Sequence, residues 1–190
     1  MDTVMNLIYS ISPRHTDEYY AQKARDAAAL KTYRLCFKDV GGMLTPARTR
    51  ELVRLIKQNI GDVPLEFHAH CNNGLGPFNL LEAVKEGVRI VHTAIPPLAN
   101  GSSQPSVFNV VGNLRALGYK PLINMEPLPA VSEHFEAIAK REGLPLGTPH
   151  GSSFRVLLGA QYLSRSIMSR PESRAAKKIL MVGGERPRRS

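Results

Sequence analysis

The chain has 190 residues, 43% of them hydrophobic and 22% charged, which is enough for one domain with a sizeable core and excludes a wholly disordered or collagen-like chain. No apolar run reaches the roughly 18 residues of a membrane-spanning helix, Asp2 stands where a secretory leader would carry base, and two cysteines make no disulfide framework, so the expected compartment is the reducing cytoplasm. The formal charge of +9 points to polyanions until it is divided: residues 1–150 hold 16 Lys+Arg against 14 Asp+Glu, and residues 151–190 hold 9 against 2, so the body is near neutral and the basicity belongs to a tail.

From the N-terminus, Met5 to Ile11 reads as a short buried strand closed by Ser12-Pro13. Thr16 caps a helix with Asp17 and Glu18 in its first turn and Tyr20, Ala24, Ala27 and Ala28 on its apolar face. Tyr33 to Phe37 is the next strand, closed by Gly41-Gly42. Thr45-Pro46 opens a second helix, with Leu52, Leu55, Ile56 and Ile60 at helical spacing and Gly61 at its end. Pro64 to His68 is a third strand, Asn79 to Gly87 a short helix, and Val88 to Ile95 a fourth strand. Helices over about Gln104–Leu117 and Val131–Arg141 complete the pattern.

Strands alternating with helices of this length predict parallel β/α units. Four units do not close a barrel, which needs eight and about 250 residues. An open doubly wound sheet fits the pattern as well, but no Gly-x-Gly-x-x-Gly fingerprint accompanies it. In either architecture chemistry collects in the loops after the strands.

Three such loops carry polar residues. His68 and His70, at i and i+2 on a strand, point to one side, so both imidazoles can reach one ion; the alternative is a pair of structural hydrogen bonds. Lys38 ends an apolar strand, where a bare ammonium is costly to bury; it either pairs with Asp39 or another acid, or reacts with CO2 to become a carbamate able to bind metal. The loop Gly101-Ser102-Ser103-Gln104 offers an anion site, a hydroxyl proton relay, or helix capping by Ser102 or Ser103. His92 faces either core or pocket, and Cys36 and Cys71 read as reduced thiols.

The run Ser12-Pro13-Arg14-His15-Thr16 with Glu18-Tyr19-Tyr20, the Lys38-Asp39-x-Gly41-Gly42 loop, His68-Ala69-His70 and Gly101-Ser102-Ser103-Gln104-Pro105-Ser106 together resemble the biotin-dependent carboxyltransferases. That group includes the carboxyltransferase domain of pyruvate carboxylase, the alpha subunit of oxaloacetate decarboxylase and the transcarboxylase subunit. The resemblance covers about residues 2–148, roughly three quarters of the chain. It implies a (β/α)8 barrel of the hydroxymethylglutaryl-CoA lyase type, of which this chain carries the C-terminal four β/α units (residues 1–148), followed by a divergent basic tail (149–190).

By resemblance, a divalent metal (zinc, manganese or cobalt) is held by carbamylated Lys38, His68 and His70, with a further Asp on an absent first strand. Ser102 stands where the family carries a proton-shuttling hydroxyl, and Ser102 and Gln104 are the residues that meet biotin. The implied reaction moves a carboxyl group between carboxybiotin, delivered by a separate biotin carboxyl carrier protein, and a keto acid such as pyruvate or oxaloacetate. The intact family implies a homo-oligomer, and a half-barrel implies a complementary N-terminal chain, poor solubility alone and little turnover. Hydroxymethylglutaryl-CoA lyase and isopropylmalate synthase share His-x-His but lack the metal-binding Lys, so a metal-dependent lyase or aldolase is the alternative. A basic protein acting on nucleic acid through its tail is the other alternative. The abrupt Arg and Ser enrichment after Pro149-His150-Gly151 reads as a changed reading frame or unrelated terminal sequence rather than as such an arm.

Overall fold

The computed structural model describes residues 2–143, so the readings of the tail at 149–190 lie outside the described residues. In chain order the elements are β1 (Val4–Ile8), α1 (Asp17–Ala29), β2 (Arg34–Asp39), α2 (Pro46–Asn59), β3 (Leu65–Ala69), α3 (Gly76–Lys85), β4 (Ile90–Val91), α4 (Val107–Ala116) and α5 (Leu128–Arg141). The strands form one parallel sheet in the order β1-β2-β3-β4, as consecutive β/α units require.

The two helix starts read from capping residues form as such. The Thr16 hydroxyl accepts the Tyr19 N–H and the Thr45 hydroxyl accepts the Arg48 N–H, each at 3.2 Å, and Pro46 occupies the first helical turn. α1 buries Tyr20, Ala21, Ala24 and Ala27, while α2 buries Thr49, Leu52, Val53 and Ile56.

The sheet is apolar on one face and polar on the other, and this asymmetry positions the site. Leu7, Leu35, Phe37, Leu65, Phe67 and Ala69 share one face and pack beneath the helices. Phe37 is fully buried, with Phe67, Tyr20 and Tyr9 ring centroids at 5.9, 6.1 and 6.4 Å. α1 packs on α2, α2 on α3, and α3 on α4. The opposite parity places Asn6, Cys36 and Glu66 side by side, then Ile8, Lys38 and His68 one pleat further on. Among the described residues the sheet has four strands, and this polar face is open on its β1 side, where Val4 and Ile8 are exposed, while Cys36 and Glu66 further in are buried.

Several boundaries differ from expectation: β1 ends at Ile8 rather than Ile11, α5 begins at Leu128 rather than Val131, and three others follow from local contacts. The fourth strand shrinks from Val88–Ile95 to Ile90–Val91, because after His92 donates its N–H to Phe67 the chain leaves the ladder and Ala94 bridges to Ser106 instead. α4 begins at Val107 rather than near Gln104, since Ser106 is held extended (ψ 130) by the bridge to Ala94 and its N–H donates to Asn100 Oδ1 in a loop turn. Ser102 and Ser103 therefore cap no helix. α3 begins earlier, at Gly76, with Pro77 in its first turn.

Asp39 does not pair with Lys38. It lies on the helix-facing side, fully buried, where Oδ1 accepts the Met43 N–H at 2.9 Å and Oδ2 the Leu44 N–H at 2.7 Å. Asp39 thereby ties down the loop after β2, which approaches the next loop so closely that a Cβ on Gly42 (φ +60) would lie 2.9 Å from the Asn72 nitrogen. Asp39→Ala leaves the buried Leu44 N–H and the part-buried Met43 N–H without their acceptor, so urea unfolding should show a loss of roughly 1–3 kcal/mol; an unchanged midpoint would refute the assignment.

Candidate metal centre

At the C-terminal ends of β2 and β3 the register sets Lys38 beside His68 on the open polar face. Among the described residues Lys38 makes no ion pair. His70 follows two residues after His68, and its backbone N–H donates to the Asp39 carbonyl at 3.0 Å, extending the strand pairing by one position. The His68 and His70 Nε2 atoms are 3.1 Å apart.

The loop between β4 and α4 closes over these imidazoles. Cys71 N–H donates to the Ser103 carbonyl at 2.9 Å, Ser103 N–H to the Asn100 carbonyl at 2.9 Å, and Asn100 N–H to the Gln104 carbonyl at 2.7 Å. Asn100 (φ +70) and Gly101 (φ +55) make the left-handed turn this path needs. The Ser102 carbonyl then lies 2.6 Å from His70 Nδ1, and Gln104 Nε2 lies 3.1 Å from His68 Nε2 and 3.0 Å from His70 Nε2. Ser102 itself is exposed and meets the site through its carbonyl.

These contacts define protonation. A carbonyl only accepts, so His70 carries its proton on Nδ1, and neutral His70 presents a lone pair at Nε2. The Gln104 amide N–H groups complete the pattern by donating to both Nε2 atoms; the reversed amide would set oxygen lone pairs against nitrogen ones. Two imidazole nitrogens sharing one zinc at roughly 2.0–2.1 Å, with the observed spacing of 3.1 Å, subtend an angle of about 100°, close to tetrahedral and octahedral values. The residues thus fit a divalent ion, and Gln104 places partial positive charge where that ion's charge would be.

Burial pushes the His68 pKa down to about 4, reinforced by the Lys38 ammonium and by His92 and His70. In metal-free protein the unfolded chain takes up a proton near the ordinary histidine value of about 6.5 while folded His68 does not. Stability should therefore fall as pH falls from 6.5 toward 4, and His68→Gln should flatten that acid limb; identical pH profiles in urea would contradict this. Burial also raises the Cys36 and Cys71 thiols, to about 11 and about 12, so both stay protonated at neutral pH.

Two further groups, absent from the predicted ligand set, adjoin His68. His92 Nδ1 is 3.0 Å from His68 Nδ1, and His92 Nε2 is 3.3 Å from Glu66 Oε2. Glu66 is buried and its other oxygen accepts from Arg34 Nη1 at 2.9 Å. Alternation along Val88–Ile95 leaves the face of His92 undecided; the pairing Glu66↔Ile90 resolves it toward His68. Cys36, Glu66 and His92 also have ligand atoms within 4.8 Å of one another.

A parallel β/α sheet with histidines at its strand ends is compatible with a barrel or an open sheet, and comparison with known proteins supplies the family. Residues 5–134 match the HMGL-like family model, and the chain belongs to that family. It is 37% identical over 135 residues to a pyruvate carboxylase subunit of Methanothermobacter thermautotrophicus, covering 71% of this chain and 24% of that protein. It is 28% identical over 133 residues to the methylmalonyl-CoA carboxyltransferase 5S subunit of Propionibacterium freudenreichii, covering 70% and 26%. The carboxyl transferase domain of Rhizobium etli pyruvate carboxylase, solved with pyruvate, superposes with a TM-score of 0.68 at 23% identity, over 74% of this chain and 24% of that one. The sheet and helices thus share the fold of part of that carboxyl transferase domain, and the chain covers about a quarter of the length of each of these three proteins. Among the described residues no helix is long and apolar enough to cross a membrane.

Proposed function

We propose that this chain supplies the C-terminal side of a metal-dependent carboxyltransferase site, moving a carboxyl group between carboxybiotin and a 2-keto acid such as pyruvate or oxaloacetate. One observation carries the reading: two histidine lone pairs converge at 3.1 Å on the sheet face that also presents Lys38. The names of the relatives supply the reaction class.

In this reading His68, His70 and a carbamylated Lys38 hold the ion, zinc, manganese or cobalt. When bound, the ion supplies Lewis acidity toward the keto-acid carbonyl. CO2 adds to the neutral Nζ amine, the ammonium proton and one N–H proton being released to solvent, and the resulting anion offsets its half-burial by pairing with the cation, which an ammonium could not do. The Ser102 carbonyl fixes the His70 tautomer, while the exposed Ser102 hydroxyl is the proton carrier and, with Gln104, the contact to biotin. The remaining donors come from the first four β/α units of the barrel, on a complementary chain or segment, and a biotin carboxyl carrier protein brings the substrate. The assembly is a homo-oligomer working in the cytoplasm.

The test combines isotopically labelled bicarbonate with the Lys38→Gln variant. NMR should show a carbamate carbonyl that vanishes in the variant, together with metal-dependent oxaloacetate decarboxylation in the presence of the complementary half. A metal-loaded protein without that carbamate, and with metal content unchanged in Lys38→Gln, would remove Lys38 from the ligand set and overturn the carboxyltransferase reading in favour of a lyase or aldolase.

A further inference from the structure

Glu66 is the most deeply buried carboxylate on the polar face, its side chain only 7% exposed, and its position needs an explanation, since a buried charge is costly unless paired. Arg34 occupies one oxygen at 2.9 Å. The other faces His92 Nε2 at 3.3 Å, and the second nitrogen of that imidazole meets His68 Nδ1 at 3.0 Å. The four residues form a line from the interior of the sheet to the metal-facing imidazole.

We propose that Arg34, Glu66 and His92 are positioning residues that set the tautomer of His68. The protons can be counted along the line. A carboxylate beside His92 Nε2 favours a hydrogen there, so neutral His92 offers a bare lone pair at Nδ1. The 3.0 Å contact between the two Nδ1 atoms needs one donor, and His68 must provide it. His68 Nε2 is then unprotonated, as the Ser102 carbonyl leaves His70 Nε2, and the hydrogens between these two nitrogens come from the Gln104 amide, which donates to both. Each imidazole thus has its own support, a backbone carbonyl for His70 and a carboxylate acting through a histidine for His68. Arg34 anchors the line, because it neutralises Glu66 from the far side and leaves Oε2 for His92. Ligand histidines held by a carboxylate or carbonyl on the opposite nitrogen are the general means of fixing metal-binding tautomers. Here the device is lengthened by one imidazole.

Cys36 adjoins the same line, and Cys36, Glu66 and His92 have donor atoms within 4.8 Å of one another. A second ion among these three would have to compete with Arg34 for Glu66 and with His68 for His92, whereas the relay uses every contact present. The inference rests on the proposed metal site, but its primary readout does not, because the tautomer is measurable in metal-free protein.

The experiment uses the full chain, with Glu66→Gln, His92→Leu and His92→Gln compared with wild type. Long-range proton–nitrogen correlation spectra of the metal-free protein should show His68 protonated at Nδ1 alone in wild type and mixed between both nitrogens in Glu66→Gln and His92→Leu. His92→Gln should restore the wild-type pattern, since its amide oxygen accepts from His68 and its N–H donates to Glu66. Competition with a chromogenic chelator should show zinc affinity falling roughly 10–100-fold in Glu66→Gln and His92→Leu, with partial recovery in His92→Gln. Should His92→Leu fail to fold, the isosteric Glu66→Gln decides. An unchanged His68 tautomer in Glu66→Gln would overturn the relay. So would a second zinc equivalent lost specifically in Cys36→Ser, which would make the cluster a ligand set. If wild type binds no metal while the tautomers respond as described, the relay stands and the metal reading fails.

Discussion

His70→Ala and His68→Ala should each strip the divalent ion from the protein. After exhaustive dialysis, metal analysis should find the ion retained by wild type and absent from both variants. The two losses have different origins. His70 is backed by a backbone carbonyl that no side-chain change removes, so its substitution deletes a donor and leaves the Ser102 loop intact. Removing His68 also unpairs His92 Nδ1 and frees the Gln104 amide on one side. Far-ultraviolet circular dichroism should match wild type in both, because neither imidazole belongs to the apolar face. Wild-type metal content in either variant would dismiss the centre.

Phe37→Ala should be the most damaging single change to the fold. Phe37 is wholly buried at the middle of the sheet's helix-facing side, surrounded by Phe67, Tyr20 and Tyr9. Truncating a core Phe costs about 3–5 kcal/mol, against a total of only about 5–15 for a typical domain. The cavity cannot close readily, since β2 is flanked by strands on both sides and covered by α1 and α2. A urea midpoint lowered by a large fraction of the wild-type value is the expected outcome, and a loss under about 1 kcal/mol would misplace the core.

The helices were legible because their signals are local. Thr16 and Thr45 cap the N–H groups three residues on, and apolar residues recur at helical spacing after them. Strand length was less legible. Val88–Ile95 has the composition of a long strand, yet only Ile90–Val91 pair, because ladder length depends on where the neighbouring strand ends and where the chain turns away. Lys38 shows the same limit. Its neighbour Asp39 is the obvious counterion in sequence, but adjacent residues on a strand face opposite ways, and Asp39 serves the loop backbone instead.

Charge and length also take on a different meaning once the fold is known. The described part of the near-neutral body folds as a parallel sheet of four strands, as the four expected β/α units require, and the chain covers only about a quarter of the archaeal pyruvate carboxylase subunit it matches. The amino-acid sequence by itself determined the alternation of parallel strands and helices, the shared direction of His68 and His70, and the loops in which polar residues gather. Each follows from backbone periodicity or from capping over a few residues. Only the tertiary structure decided that the Ser102 carbonyl holds His70, that Gln104 bridges both imidazoles, and that Glu66 and His92 stand behind His68. Those contacts join residues some 24 to 36 positions apart, and they exist because strand register and a folded loop, rather than sequence proximity, choose which side chains meet.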